Sequence, residues 1–349
     1  MTVQPFPHRL HLYEKPKAGN RFIDRFVAHN YKHRISAVGW FDTATCDIVP
    51  RSFAMPQRFV DQFLGNRVAI FVDNPSEPIW EGFINRMTFN QGGVSFTISL
   101  DEMMNRVTVK NTQHAATLVT TTAADTVYSL ASQSVYGVKE GVLDAGFFRV
   151  TGTTRAATLG DTKLQQLSWP QQSIDKSDAP AGLIHLEMLG FYHTLKWEER
   201  NVATTSTATL TNMIIGGSGV LPGLLNGATF LDNTDFTEIA TNTVTMPIDE
   251  YRGRTPWDTL VQIQETGDTN KAYYVVGVTE TDLITSKRRL YYRAANNVIE
   301  YQARIRDELR PRDIRGRVLP PWWVRPDRAI RISDWILGGA IQGDDPRET

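Results

Sequence analysis

The chain has 349 residues, which is enough for two or three domains with a sizeable hydrophobic core. Its 37 basic and 38 acidic residues leave a formal net charge of −1, so no global field draws it to nucleic acid or to an anionic membrane. The single cysteine, Cys46, excludes an intramolecular disulfide framework and a cysteine-based zinc cluster, and we expect it to be a small buried apolar residue.

The first predicted unit, residues 1–112, has the pattern of a small antiparallel β-barrel. Strand patterns cover residues 9–14, 35–49 and 68–72. Between the last two, Pro56 starts a short amphipathic helix that Gly65 ends. Several short strands around one helix favour a closed or half-closed barrel.

The clearest pattern in this unit is a hairpin that turns at Gln91-Gly92-Gly93. Before the turn, two sets of residues alternate: Ile79, Glu81, Phe83, Asn85 and Met87 against Trp80, Gly82, Ile84, Arg86 and Thr88. After it, four apolar residues share one face: Val94, Phe96, Ile98 and Leu100. This alternation predicts half-buried strands, and the glycine pair supplies the positive φ of a tight turn. We expect a last barrel strand at residues 105–109.

The second predicted unit, residues 113–181, is a small α+β domain followed by a linker. A strand is expected at residues 120–122, a helix at 123–136 and a second helix at 159–167. The polar, turn-rich residues 170–180 form the predicted linker.

The rest of the chain predicts a second β-barrel, residues 182–200 plus 271–335, which is interrupted by an inserted α+β domain at 201–270. Its strands are expected at residues 183–188, 192–198, 272–278, 289–293 and 298–303. The insert offers helices at residues 208–215 and 256–266, and residues 336–349 form a C-terminal tail. The fold class is therefore α+β and mainly β, with two small antiparallel barrels and two smaller inserts.

No motif in the sequence supports chemistry. The glycine-rich residues 216–223 lack the lysine of a phosphate-binding loop, and Asp232, Asp235 and Glu238 lack the spacing of a calcium loop. The seven histidines include no zinc-protease motif, and no nucleophile elbow occurs. We predict no enzyme activity and no catalytic, cofactor or metal site, although carboxylate pairs for glycoside cleavage can come from anywhere in a fold. No apolar run predicts a membrane span, and the first residues lack the apolar region of a secretory signal.

Residues 304–331 combine nine arginines with four carboxylates and with Pro320-Pro321-Trp322-Trp323. Arginines between aromatic residues can bind single-stranded nucleic acid, but they also form protein interfaces, and we favour a protein–protein contact over specific nucleic-acid binding. Eight tryptophans, several beside proline or arginine, suit a protein with large interfaces. The candidate interface residues are Trp80, Trp197, Arg317, Trp322, Trp323, Arg325 and Arg328.

Several segments resemble the tail-tip and baseplate hub proteins of tailed bacteriophages, which use β-barrels of the tail-tube type. The first barrel carries Trp80-Glu81-Gly82-Phe83-Ile84, Ser99-Leu100-Asp101 and Asn105-Arg106-Val107-Thr108-Val109. Residues 190–197 and 318–326 are similar to segments of phage tail proteins of the same size. The resemblance implies a virion structural protein whose two barrels per chain form a six-position ring in a homotrimer.

The resemblance also implies partners and a location. The homotrimeric ring would join the hexameric tail tube to a threefold tip, with a tail-tube or distal tail protein and with fibre, tape-measure or other baseplate proteins as neighbours. The protein would be assembled in the host cytoplasm and located in the virion tail. Two alternatives stay open: a hexameric distal adaptor ring, and a carbohydrate-directed tail protein that binds or hydrolyses glycans at the host surface.

Overall fold

The computed structural model describes residues 7–16, 21–36, 38–51, 56, 59–72, 78–114, 120–144, 153–178, 182–198, 207–216, 223–225, 230–232, 234–247, 254–269, 274–279, 281, 288–294, 300–302 and 329–331. The fold is α+β and mainly β, as the sequence predicts. The candidate residues Arg317, Trp322, Trp323, Arg325 and Arg328 lie outside the described residues.

A closed barrel of six antiparallel strands forms the centre of the fold. The strands are β1 (His8–Tyr13), β2 (Phe22–Ser36), β3 (Trp40–Ile48), β4 (Arg67–Phe71), β5 (Trp80–Gln91) and, after five further strands, β11 (Ile184–Leu189). Their order around the barrel is β5, β11, β3, β2, β1 and β4, and the pairing of β4 with β5 closes it. A single π-helical turn, Phe59–Phe63, precedes β4.

The barrel interior is filled by apolar side chains at every second position of the strands, as a pleated sheet requires. Burying one such side chain completely contributes about 1.5–3 kcal/mol to stability. Interior side chains with 0% exposure are Leu10, Leu12, Ile48, Val68, Ile70, Trp80, Ile84 and Leu186. Cys46 is buried among them, as predicted.

Strand β11 belongs to the first barrel, although the sequence predicts it in the second. We expected residues 183–188 in a second barrel, but β11 pairs with β3 on one side and with β5 on the other. The residues are those of a barrel strand, because Ile184, Leu186 and Met188 point to the same buried interior. Only the long-range register places this strand in the first barrel, and local alternation carries no information on register partners.

A sheet extension leaves the barrel along β5, and we call it the arm: residues 86–91 of β5, β6 (Val94–Ser99) and β10 (Gln171–Lys176). The predicted turn at Gly92 and Gly93 is confirmed, with φ of 61° and 79°. Residues 171–176 are not the linker that we predicted, because β10 pairs with β6 along its whole length. A polar sequence fits this position, since β10 is the outer strand of the arm and is exposed.

A small unit with its own core follows the arm. Its sheet has the order β8 (Thr120–Tyr128), β7 (Arg106–His114) and β9 (Glu140–Asp144), and it packs against α2 (Thr153–Leu167). The helix comes close because Gly160 lies over Val127, where a Cβ would be 2.7 Å from the valine methyl group. The predicted strand at 105–109 therefore belongs to this unit and not to the first barrel.

The first helix of this unit is shorter than predicted. We expected a helix from residue 123, but β8 continues to Tyr128 and α1 spans only Leu130–Tyr136. The ladder with β7 satisfies the backbone up to Tyr128, and Ser129 then caps the helix by accepting a bond from the amide of Ser132. Tertiary pairing thus overrides local helix propensity here.

After β11, the chain turns into a 3₁₀ helix, Phe191–Lys196, where we had predicted a strand at 192–198. Gly190 makes the turn possible, because a Cβ there would lie 1.7 Å from the carbonyl oxygen of Phe41. The buried residues Phe191, Tyr192 and Leu195 have helical spacing and pack against the barrel core.

The inserted segment and the region of the predicted second barrel share the hydrophobic core of the first barrel. Their elements are β12 (Thr207–Thr209), α3 (Leu210–Ile215), β13 (Thr245–Pro247), α4 (Pro256–Thr266), β14 (Tyr274–Val278), β15 (Leu290–Ala294), β16 (Glu300–Gln302) and β17 (Ala329–Arg331). Among these residues, β14 pairs with β15 and β16 with β17 in two separate hairpin-like pairs. Helix α4 confirms its prediction, with Thr255 as the cap and Pro256 in the first turn.

Candidate interaction surfaces

Two of the predicted interface residues lie in described parts of the structure, and neither offers an open surface. Trp80 has 0% exposure inside the barrel, so the prediction that it contacts a partner is wrong, because its whole indole ring packs within the chain. Trp197 is half-buried and makes edge-to-face contacts with Phe83 and Phe230 at centroid distances of 5.5 and 5.8 Å. Trp197 thus joins the outside of the barrel to the inserted segment.

A buried ionic cluster connects the barrel wall to the later part of the chain. The Glu81 carboxylate accepts bonds from Nε of Arg67 at 2.8 Å and from Nε of Arg288 at 3.3 Å. The backbone amide of Thr281 donates to the second carboxylate oxygen at 3.0 Å, and the Thr281 hydroxyl donates to the first. The side chains of Glu81, Arg67 and Arg288 are 1%, 1% and 4% exposed.

The charges in this cluster are retained despite the burial. Burial raises the pKa of the Glu81 carboxyl, but the guanidinium groups of Arg67 and Arg288 and the Thr281 bonds outweigh it and hold the pKa below its usual value. Burial lowers the pKa of Arg288 to about 10, so its guanidinium stays charged at neutral pH. The cluster is therefore a structural connection, because Arg67, Arg288 and Thr281 all bond to the Glu81 carboxylate.

A second polar cluster lies where β3 meets the 3₁₀ helix. Asp42 accepts a bond from the Tyr192 hydroxyl at 2.5 Å, lies 2.9 Å from Nε2 of His193 and pairs with Arg34 at 3.2 Å. Burial raises the pKa of Asp42, but these hydrogen bonds and charges lower it overall. The Tyr192 ring in turn packs, tilted by 41°, against Trp257 of α4 at a centroid distance of 4.4 Å, so the cluster fixes that helix to the barrel.

The outer face of the arm is polar, and most of its side chains are paired. Arg86 pairs with Asp101 at 2.6 Å and with Glu187 at 3.5 Å, and the hydroxyls of Thr88 and Thr97 are 3.1 Å apart across the hairpin. Two buried atoms of this face, Nε of Arg86 and Oδ1 of Asn90, find no hydrogen-bond partner among the described residues.

The inner face of the arm is apolar and loses its cover as it leaves the barrel. One cross-strand row runs through Ile184, Phe89, Phe96 and Ile174. Ile184 is 1% exposed, Phe89 is half-buried, Phe96 is 38% exposed and Ile174 is 67% exposed. The rings of Phe89 and Phe96 stack at 5.7 Å. An apolar row that continues the core into solvent is typical of a surface covered by a partner.

A second partly apolar surface lies across the barrel, and we call it the β1–β2 face. It consists of the outward side chains of three cross-strand pairs: Arg9 with Val27, His11 with Arg25, and Tyr13 with Phe22. Phe22 and Val27 are 50% and 46% exposed, and His11 lies between the rings of Phe22 and Phe71 at 5.6 and 4.5 Å. Exposed aromatic residues beside arginines are enriched at protein interfaces.

Sequence reasoning missed both surfaces. It found the apolar row Val94, Phe96, Ile98 and Leu100 and predicted its burial in the barrel, but only Ile98 and Leu100 are buried. On β2, Phe22 and Val27 follow no clear alternation because β-bulges interrupt the strand pairing.

Partly buried histidines predict that acid destabilises the fold. Burial lowers the pKa of His8, His11 and His193, with Arg25 and Arg9 adding to the effect at His11, while the Asp42 bond opposes it at His193. Below the ordinary histidine value of 6.5, the unfolded chain therefore binds protons that the folded chain does not, so the free energy of unfolding falls as pH drops through 6.5.

Urea unfolding at pH 7.5 and pH 5.5, at one protein concentration, measures this effect. We expect a lower midpoint at pH 5.5, and a smaller difference between the two pH values for His193→Gln. A midpoint that is equal or higher at pH 5.5 contradicts the prediction.

Other candidate sites gain no support from the geometry. Within the described part of the chain, no three His, Cys, Asp or Glu side chains are placed to hold a metal ion. None of the described helices combines the length and apolarity of a membrane-spanning helix. Comparison with known proteins gives no match, whether with family models, with curated proteins or with solved structures.

Proposed function

We propose that this chain is a structural hub protein of a bacteriophage tail tip or baseplate, which assembles into a homotrimeric ring and performs no catalysis. The ring joins the hexameric tail tube to the threefold tip, and its neighbours are the tail-tube or distal tail protein and other baseplate, fibre or tape-measure proteins. The protein is located in the virion.

One observation carries the self-assembly: the apolar row of the arm is buried at Ile184 and 67% exposed at Ile174. At roughly 25 cal/mol per Å² of buried apolar surface, covering such side chains favours association, and a monomer leaves them in water. The closed barrel fits this role, since closure removes its sheet edges and leaves β10 of the arm as the open strand.

Light scattering of the purified protein over a tenfold concentration range tests the proposal. We expect three times the mass of the chain. A hexamer would replace the hub by an adaptor ring, and a monomer at every concentration would overturn the proposed self-assembly.

A matched pair of variants on β10 links the mass to the arm. Ile174→Asp places a charge on the apolar row and is expected to shift the mass toward the monomer. Ser173→Asp makes the same change on the opposite face of the same strand and is expected to keep the wild-type mass, because neighbouring side chains of a strand point to opposite faces. Equal effects of both variants on the mass would show that assembly does not depend on the apolar row.

A further inference from the structure

We propose that the β1–β2 face binds an acidic polypeptide segment of a partner protein, one that carries apolar side chains among its carboxylates. The chemistry of the face defines this occupant, with carboxylates for Arg9 and Arg25 and apolar groups for Phe22 and Val27. The inference goes beyond the proposed function and does not depend on it, because the apolar row of the arm, which carries the proposed self-assembly, is a different surface.

The first reason is that charged and apolar side chains are interleaved on a preformed surface. Arg9 lies opposite Val27 and His11 lies opposite Arg25, and outward side chains follow at every second residue of each strand. The two arginines are therefore diagonal neighbours, about 7–8 Å apart along the sheet. Strand β1 also pairs with β4, so the register of the face is fixed and little ordering is needed on contact.

The second reason is that both arginines lack a counter-charge. Arg9 and Arg25 are exposed, and neither pairs with a carboxylate in the described part of the chain. Asp24 is the only acidic residue of β2, and it pairs with Arg51 at 3.2 Å. Like charges on neighbouring strands repel each other. A carboxylate bound between the two guanidinium groups relieves this repulsion and forms charge-assisted hydrogen bonds with them.

The third reason is that the two guanidinium groups act on the same place, the ring of His11. This ring lies between those of Phe22 and Phe71, at centroid distances of 5.6 and 4.5 Å. Burial lowers the pKa of His11, and the charges of Arg25 and Arg9 lower it further. The centre of the face is therefore an aromatic surface in a positive field, which suits carboxylates that stand next to apolar groups.

A polypeptide fits this face better than nucleic acid does. At the next outward position of β2, His29 lies opposite Asp47 of β3, and Arg9 lies opposite the buried Phe71 of β4. The positive charge thus does not continue as a stripe across the sheet. A nucleic-acid strand carries a phosphate at every nucleotide and is held by a run of basic groups. The formal net charge of −1 adds no general attraction for a polyanion.

Fluorescence anisotropy with the full-length protein tests the inference. The probe is a fluorescein-labelled random copolymer of glutamate and tyrosine, and labelled poly-glutamate and labelled oligothymidylate serve for comparison. The test variant combines Arg9→Gln with Arg25→Gln. The control combines Lys32→Gln with Lys176→Gln, which changes the net charge equally at exposed positions outside the face. All four side chains are exposed, so we expect both variants to keep the urea midpoint of the wild type.

We expect the wild type to bind the copolymer and the arginine variant to bind it at least about tenfold more weakly, because hydrogen bonds between charged groups are lost. The lysine control is expected to bind it like the wild type. Poly-glutamate is expected to bind the wild type more weakly than the copolymer does, and Phe22→Ser is expected to remove this difference, because the exposed ring is gone.

Three results would overturn the inference or a part of it. Failure of the wild type to bind the copolymer, or equal losses in the two double variants, would overturn it outright. Tighter binding of oligothymidylate than of the copolymer, with the same dependence on the two arginines, would assign the face to nucleic acid instead. Equal affinity of the wild type for the two polypeptides would overturn the apolar part. The mass by light scattering tests the proposed function separately.

Discussion

Replacing Glu81 by glutamine is expected to destabilise the protein by about 3–5 kcal/mol, one of the largest effects available in this chain. The substitution keeps the shape of the side chain and removes only its charge. It removes the carboxylate charge that the buried guanidinium groups of Arg67 and Arg288 share, and both side chains are at most 4% exposed. Their aromatic neighbours, Tyr13 and Phe191, contribute a weaker attraction and do not replace a carboxylate.

The matched control is Glu187→Gln on the same sheet. Glu187 pairs with Arg86 at 3.5 Å, but both side chains are about two-fifths exposed (40% and 39%), so water screens the pair. The expected cost is about 0–1 kcal/mol. Urea unfolding of both variants and the wild type, at the same protein concentration, gives the comparison. Equal costs for the two variants would contradict the view that burial makes the Glu81 cluster important.

A triple variant separates the net contribution of the ionic cluster to the free energy of unfolding from the destabilisation caused by removing one of its charges. Arg67→Met, Glu81→Leu and Arg288→Met together replace all three charges by apolar side chains. We expect this variant to be much closer to the wild type in stability than Glu81→Gln, because no uncompensated charge remains in the interior. The cluster then serves to fix the segment around Thr281 and Arg288 to the barrel wall, rather than to supply net stability.

The barrel could be predicted from the sequence where alternation and turn chemistry act locally. The hairpin at Gly92 and Gly93, strand β4 and helix α4 with its Thr255 cap all follow from patterns within about a dozen residues. The burial of Cys46 follows from its apolar neighbours in β3. These features follow from the periodicity of apolar residues along the chain, which can be read directly from the sequence.

The errors have one physical origin, which is pairing between distant segments. Strand β11 enters the first barrel although about 90 residues separate it from the hairpin strands, and β10 adds to the arm although its sequence is polar. Residues 191–196 form a helix directly after Gly190, where the Phe41 carbonyl lies so close that no side chain fits. Register partners and steric limits of this kind belong to the tertiary structure and leave no local trace.

The candidate surfaces show the same difference between what local patterns predict and what long-range pairing decides. The high tryptophan content suggested an interface at Trp80, but alternation places that side chain inside the barrel with Leu10, Ile70 and Ile84. Of the two surfaces that the structure exposes, the arm depends on how far β5 extends past the barrel, and the β1–β2 face depends on the bulge that sets the register of β2 against β1. Strand length relative to the barrel is fixed by the pairing of all six strands, and no single strand encodes it.

Replacing Trp80 by alanine tests the corrected role of this residue, and the expected loss is about 3–5 kcal/mol. The ring lies wholly inside the barrel, and its edge is so close to Gly82 that a Cβ there would be 2.5 Å from it. The flanking strands are held by closed pairing on both sides, so they cannot collapse into the space, and a cavity remains. Trp169→Ala is the control, because Trp169 is 47% exposed and its ring contact in the described part of the chain is edge to face with Tyr136, a contact worth about 1 kcal/mol.

Trp80→Phe distinguishes a core residue from an interface residue. The indole N–H finds no acceptor among the described residues, so phenylalanine loses some packing but also removes an unsatisfied buried donor. We expect Trp80→Phe to be clearly more stable than Trp80→Ala in urea and to have the same mass as the wild type by light scattering. If Trp80 contacted a neighbouring copy, the mass would fall while the unfolding midpoint of the dissociated chain stayed at the wild-type value, and that result would return Trp80 to the interface.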